Sequence, residues 1–347
     1  MTAPPSPRLI DDVALIAADI RRRALGEVRL DADLRDYSRW RCGGRAALVV
    51  APRDKRSVSR LLAYFRQRSI PWAVVGEGSN LFFDDAGVQV PLVHVGPQLG
   101  AVRVDGTLVR VDAGVWVPGL ALKMMRGGLG GIEHIVGIPG TFGGLVLMNG
   151  GSLRRGVGEN IVEVEVAEQD GSVRRPRHSE CGFAYRRSAL QQRNCIVLGA
   201  TLQLTPGNCA AMRRHMLEIM ASRRRRFPRD LPNCGSVFVS DPALYASIGP
   251  PGAAIELAKQ KGAREGDAMV SPKHANFIVN LGNACSADII TLIRRVREAV
   301  AVRSGHHMRC EVRFMNFAGE VREVHEWLED PAWREQRSDE PRRVLNG

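Results

Sequence analysis

Two short glycine-rich segments carry the strongest chemical signal in the chain. Gly76-Glu77-Gly78-Ser79-Asn80-Leu81 follows an apolar run, Trp72 to Val75. Glycines let backbone N–H groups approach a phosphate closely, and Ser79 and Asn80 add side-chain donors. The segment matches neither the P-loop nor the dinucleotide G-x-G-x-x-G pattern, and taken alone it also reads as a tight turn. The second segment is Gly137-Ile138-Pro139-Gly140-Thr141-Phe142-Gly143-Gly144. Four glycines and a proline within eight residues, flanked by apolar runs, imply a rigid loop lying close to something flat or anionic. Arg186 could pair a carboxylate through two parallel N–H groups, although the adjacent Arg187 allows a plain surface arginine as well. His274 stands alone at the start of an apolar strand, a setting that is more often structural than catalytic. The seven cysteines include no C-x-x-C spacing, which argues for reduced thiols and against a zinc site or a disulfide frame.

The elements that must hold these residues can be traced by periodicity. Residues 1–30 look like an N-terminal extension with one helical stretch, Asp11 to Arg23. A strand, Ala46 to Val50, leads to an amphipathic helix over 53–69 with Val58, Leu61, Leu62 and Phe65 at helical spacing. A second strand then runs into Gly76. From about residue 90 to 204, short β runs alternate with turns around one short helix near 118–126, giving an α+β lobe. A helix over Cys209 to Arg226 places Met212, Met216, Ile219 and Met220 on one face and stops at Pro228. Further helices begin near Gly252 and at Ser286, read as an N-cap, the latter ending at Gly305. Cys310 to Phe317 alternates as a strand, with Val312 and Phe314 on one face and Glu311 and Arg313 on the other. The domains predicted are an extension (1–30), a two-lobed unit (31–206, split near 95), a third domain (207–320) and a charged tail (321–347) with partial order at best.

The bulk composition narrows the function classes. With 347 residues, 44% hydrophobic and 25% charged, the chain is a folded protein of more than one core. No window approaches ~18 uninterrupted apolar residues, so no membrane span is expected. The N-terminus lacks the basic-then-apolar pattern of a secretory signal, which points to the cytoplasm. The net charge of +12 fits either nucleic-acid binding or an enzyme for anionic substrates. The arginines are dispersed apart from Arg223 to Arg226, and only 5% of residues are aromatic, poor for base stacking. No nucleic-acid partner is expected.

Six segments in order resemble the UDP-N-acetylenolpyruvoylglucosamine reductase (MurB) family. They are GEGSNLFF, GIEHIVGIPGTFGGLVLMNGGS, CGFAYRRS at 181–188, LPNCGSVF at 231–238, SPKHANFIVN at 271–280 and CEVRFM at 310–315. Together they span roughly residues 30–317. The resemblance implies a two-lobed FAD domain of the vanillyl-alcohol-oxidase type, then an α/β substrate domain, in the shorter class of the family. It also implies NADPH as reductant, a UDP-linked amino sugar as substrate, no metal and a monomer. By resemblance, residues 76–81 and 137–144 hold FAD.

The implied reaction adds hydride to the β-carbon of an enolpyruvyl ether, and negative charge spreads into the carboxylate. It needs a fixed cation or acid for the enolate and a proton donor to the α-carbon. The resemblance makes Ser236 the proton donor, Arg186 the enolate partner and Glu311 a second acid. It puts Arg226 where the family carries a lysine for substrate phosphate. Tyr185, Asn233, Lys273 and His274 are the remaining substrate-side candidates. The chain departs from the family pattern at Ser38-Arg39-Trp40-Arg41-Cys42-Gly43-Gly44, at Gly151-Ser152-Leu153-Arg154, and after Ser236, where Val239-Ser240-Asp241 lacks the usual lysine. A paralogue acting on another nucleotide sugar, a related FAD oxidase, and a non-enzymatic basic binding protein are the competing readings.

Overall fold

The computed structural model describes residues 13–338. The first lobe begins with helix α1 (Val13–Arg22), which buries Ala17 and Ile20. Strand β1 (Glu27–Asp33) pairs antiparallel with β2 (Arg45–Ala51). Helix α2 (Lys55–Gln67) starts where Asp54 accepts the Ser57 N–H at 2.6 Å, and it buries Val58, Leu61, Leu62 and Phe65. Strands β3 (Ala73–Val75), β4 (Leu81–Phe83) and β5 (Leu92–His94) follow. The sheet order is β1-β2-β5-β3, with β5 parallel to both neighbours. Its parallel strands are short and apolar because both faces are covered. β4 does not join this sheet.

The second lobe is an antiparallel sheet with accompanying helices. It comprises β6 (Val102–Asp105), β7 (Leu108–Asp112), α3 (Val117–Arg126), β8 (Leu129–Gly130), α4 (Phe142–Leu147), β9 (Ile161–Ala167), β10 (Val173–Arg174), β11 (Ile196–Gln203), β12 (Thr205–Pro206) and α5 (Cys209–Arg226). The main sheet runs β10-β9-β11-β7-β6. The third unit holds α6 (Pro242–Ser247), α7 (Pro251–Leu257), β13 (Arg264–Glu265), β14 (Ala268–Val270), β15 (Ile278–Asn280), α8 (Ser286–Ser304), β16 (Arg313–Met315), β17 (Val321–Glu323), α9 (Val324–Glu329) and α10 (Pro331–Ser338). β16 pairs antiparallel with β17 and parallel with β4 of the first lobe.

Several expectations change. The boundary at residue 30 falls inside β1, and α1 packs into the first core, so this stretch is part of the lobe and not an extension. The start of the expected helix at Asp11 lies outside the described residues. Met216 and Ile219 of α5 join the same core as the second lobe. The third unit therefore begins after α5, not at 207. The N-cap of α8 is Cys285, because Ser286 is the first helical residue. The Ser286 hydroxyl donates to Asp85 at 2.7 Å, and its N–H donates to the same carboxylate at 2.8 Å. A first-lobe carboxylate thus satisfies the start of a third-unit helix. The strand predicted over 310–317 shrinks to β16, yet its alternation holds, with Val312 and Phe314 fully buried. The charged tail is ordered from 321 to 338: β17 extends a sheet, and Val324 and Trp327 are buried in the third core. Its remainder, 339–347, lies outside the described residues. No described helix is long and apolar enough to cross a membrane.

Trp40 and Phe82 come from the first lobe but pack in the third core, edge to face at 5.0 Å. The Trp40 indole N–H donates to Ile278 O at 2.7 Å, and the Asn280 amide donates to Trp40 O at 2.8 Å. These buried bonds lock the third unit onto the turn before β2, where the Arg39 N–H donates to Gly78 O of the first glycine loop at 3.1 Å.

Candidate active site

Between the lobes and the third unit lies a cleft of ≈2830 Å³. Ordinary small-molecule pockets hold ~300–1,000 Å³, so there is room here for two large ligands. One wall is backbone. Residues 76–81 and 137–141, with Gly143 and Gly144, all line it. The two loops interlock. A Cβ on Gly76 would sit 2.5 Å from Thr141 Oγ1, and one on Gly140 would sit 2.7 Å from Ser79 Oγ. Gly78 has φ +55° and faces the Tyr37 carbonyl, which would lie 1.9 Å from an added Cβ. Only glycine fits there. Among the described residues, the N–H groups of Glu77, Gly78, Ser79 and Asn80 donate to no protein acceptor. Four successive free donors on a glycine cradle suit the phosphates of a dinucleotide.

The rest of the lining is built from side chains. Tyr185 and Arg186 occupy the tip of a tight hairpin in which Ala184 and Arg187 exchange both backbone bonds at 3.0 Å. Arg186 takes φ +57° there. Its Nη2 donates to Gly151 O at 2.9 Å, and its guanidinium lies 5.2 Å from the Tyr185 ring centre. Arg186 Nε lies 2.8 Å from Glu311 Oε1, off the N–H direction, so the contact is an ion pair without an aligned hydrogen bond. Burial pushes the Glu311 carboxyl above its ordinary value, and Arg186 pulls part of the way back. Ser236 lines the same cleft. The Glu311 N–H donates to Val237 O at 2.7 Å, which fixes the glutamate beside the serine turn.

The comparisons with known proteins agree along the whole length of this cleft. Residues 46–176 match an FAD binding domain. Residues 227–315 match the C-terminal domain of UDP-N-acetylenolpyruvoylglucosamine reductase. The UDP-N-acetylenolpyruvoylglucosamine reductase 1 of Corynebacterium glutamicum is 43% identical over 303 residues, 87% of this chain and 90% of that protein. The chain belongs to the UDP-N-acetylenolpyruvoylglucosamine reductase (MurB) family. The MurB crystal structure from Thermus caldophilus superposes with a TM-score of 0.70 at 31% identity, covering 83% of this chain and 98% of that one. A relative from Heliobacterium modesticaldum is 39% identical over 82% of this chain and 89% of its own length.

Within this MurB family fold, two substrate candidates are misplaced. Lys273 and His274 do not line the cleft. Lys273 is exposed, and the His274 ring packs against Phe227 at 5.3 Å and Phe277 at 4.9 Å. Burial lowers its basicity, so it serves as a neutral aromatic prop for Phe227. Asn233 does line the cleft, but its amide donates to Pro228 O and Leu231 O at 2.8 Å and its oxygen accepts the Gly235 N–H at 3.1 Å. Its polar atoms shape the turn before Ser236. Arg226 lines the cleft from an exposed position.

The residue that sequence reasoning missed is Arg223. It lies under the second loop, where a Cβ on Gly137 would strike its Cδ at 2.3 Å, and its guanidinium sits 4.7 Å from the Phe227 ring centre. It makes no ion pair among the described residues. Burial, with Arg229, Arg186 and Arg226 nearby, lowers its pKa to about 10. A half-buried cation with three others nearby and no carboxylate partner suits an anion. The run Arg223 to Arg226 signalled the charge, but only the helical phase shows which member turns inward.

Proposed function

We propose that this chain reduces the enolpyruvyl ether of UDP-N-acetylglucosamine enolpyruvate to UDP-N-acetylmuramate, with bound FAD and with NADPH as reductant. It acts in the cytoplasm as a monomer and provides a precursor for peptidoglycan. The observation that carries this reading is the Arg186–Glu311 pair, half-buried beside the Ser236 turn in the cleft that the glycine loops also line. The glycine loops would hold the FAD phosphates, and FAD bound there would supply hydride chemistry.

The chain's own groups do the rest. Arg223, Arg226 and Arg229 hold the diphosphate of the sugar nucleotide, since three clustered guanidinium groups need anionic partners. Arg186 pairs the substrate carboxylate and takes up the charge that develops on it. The Gly151 carbonyl and Glu311 hold its guanidinium before substrate arrives, so little is lost to reorganisation. Glu311 orients Arg186 through their 2.8 Å contact, and burial raises its carboxyl above the ordinary value, which readies it to carry a proton. Ser236 delivers its hydroxyl proton to the α-carbon, and Gly235 at φ +81° sets the turn that presents it.

The test is anaerobic. Purified flavoprotein is reduced with NADPH and mixed with the UDP-enolpyruvyl sugar in stopped flow. Rapid return of the oxidised flavin spectrum with formation of the lactyl ether is expected. Reduced flavin that persists in the presence of that substrate refutes the reading.

A further inference from the structure

The first glycine loop has a second job on its far end. Asn80, its last polar residue, spends its side-chain amide on the third unit: Nδ2 donates to Glu311 O at 2.9 Å. Its own carbonyl accepts the Arg313 N–H at 3.0 Å. The β4–β16 ladder begins one residue later, at Leu81 and Arg313. The amide therefore extends the pairing back past the end of the ladder, to the residue carrying the buried carboxylate. Glu311 is held from its other side as well, through its N–H on Val237 O. The same loop reaches the serine turn too, since the Cys234 thiol donates to Gly78 O at 3.4 Å.

We propose that Asn80 is a positioning residue for Glu311, so that the loop cradling the cofactor phosphates also sets the catalytic carboxyl in place. Removing the amide leaves the Glu311 carbonyl without this donor and lets the segment before β16 pivot. The backbone donors of the loop are untouched. The side chain thus acts on the substrate half of the reaction, while the main chain acts on cofactor binding. This inference rests on the reading of Glu311 given above.

The experiment is a double-mutant cycle on the holoenzyme with Asn80→Ala, Glu311→Gln and the pair. Flavin affinity, NADPH-driven reduction and substrate-driven reoxidation are each measured across pH. Asn80→Ala is expected to slow reoxidation about tenfold, short of the ~10²-fold that a misplacement of ~1 Å can cost. It should also move the pH limb that Glu311→Gln removes. NADPH reduction stays within about twofold, and the Asn80 change adds nothing in the Glu311→Gln background. Asn80→Leu, which keeps the size, loses the donor and adds no charge beside the cofactor phosphates, should behave the same way and serves if the alanine variant misfolds. The inference is overturned if flavin affinity falls and both half-reactions slow in parallel, if the pH limb stays put, or if the two changes add. If Glu311→Gln alone reoxidises at the wild-type rate, the underlying reading of the site fails instead.

Discussion

The two walls of the cleft are made differently. The wall proposed for the cofactor comes from two contiguous loops, 76–81 and 137–144, and offers backbone N–H groups and the absence of side chains. The substrate wall draws Arg186, Arg223, Ser236 and Glu311 from four distant segments and works through their side chains. A backbone site tolerates no added atoms, because there is nowhere for the chain to move. A side-chain site tolerates changes of shape but loses specific steps of the chemistry. The contrast predicts that atoms added to the backbone of the first wall abolish everything, while loss of a side chain, on the second wall or at Asn80, separates one half-reaction from the other.

The largest effect is expected for Gly78→Ala. Its Cβ would meet the Tyr37 carbonyl at 1.9 Å in a left-handed backbone. The purified variant should carry no flavin, and both half-reactions should vanish together. Full FAD occupancy in that variant would break the comparison. Ser236→Ala comes next. NADPH should still reduce the flavin at the wild-type rate, whereas reoxidation by substrate slows at least ~10²-fold, the low end for removing a general acid. Equal slowing of both steps would give the serine a structural role. Arg186→Lys keeps the charge but loses the planar fork. We expect a loss of about 3 kcal/mol in transition-state stabilisation, with kcat and kcat/KM falling together. A rise in KM alone would make Arg186 a binding contact.

The smallest expected effect is on stability and sharpens the comparison from the cofactor side. His134 precedes the second loop, is buried, and leaves both ring nitrogens without a partner. Burial lowers its pKa to about 4, below the ordinary ~6.5 of an unfolded histidine. The folded state therefore prefers the neutral ring. That contribution is fully present above ~6.5 and is lost as pH falls toward about 4. His134→Leu should flatten the decline of Tm over this window. Parallel Tm curves for variant and wild type would show that other groups carry the acid sensitivity.

Much of the glycine-loop wall was legible in the sequence because its residues are neighbours in the chain, and the second cluster, unlike the first, is too rich in glycine for a plain turn next to apolar runs. The helices that frame it were legible from 3.6-residue spacing, as Cys209–Arg226 shows. The substrate wall was legible only by resemblance, since nothing local joins Arg186 to Glu311. Two failures have distinct causes. Lys273 and His274 sit in a polar-looking motif, but the histidine was recruited to an aromatic cluster that sequence spacing does not reveal. The ordered tail was obscured by its charges. Val324 and Trp327 lie three apart on one helical face and provided an anchoring signal that average composition dilutes.

The parallel pairing of β4 with β16 also bears on how the protein is made. The two strands are separated by roughly 230 residues. At ~5–20 residues per second of synthesis, β4 leaves the ribosome about 10–50 seconds before its partner exists. During that interval Phe82, which ends fully buried, has no core to enter, and neither does Trp40. The first lobe must wait with an unpaired strand and two bare aromatic rings, a state prone to association with other chains. Slow translation through the second lobe lengthens that exposure, so the yield of folded protein depends on how quickly the ribosome reaches residue 315.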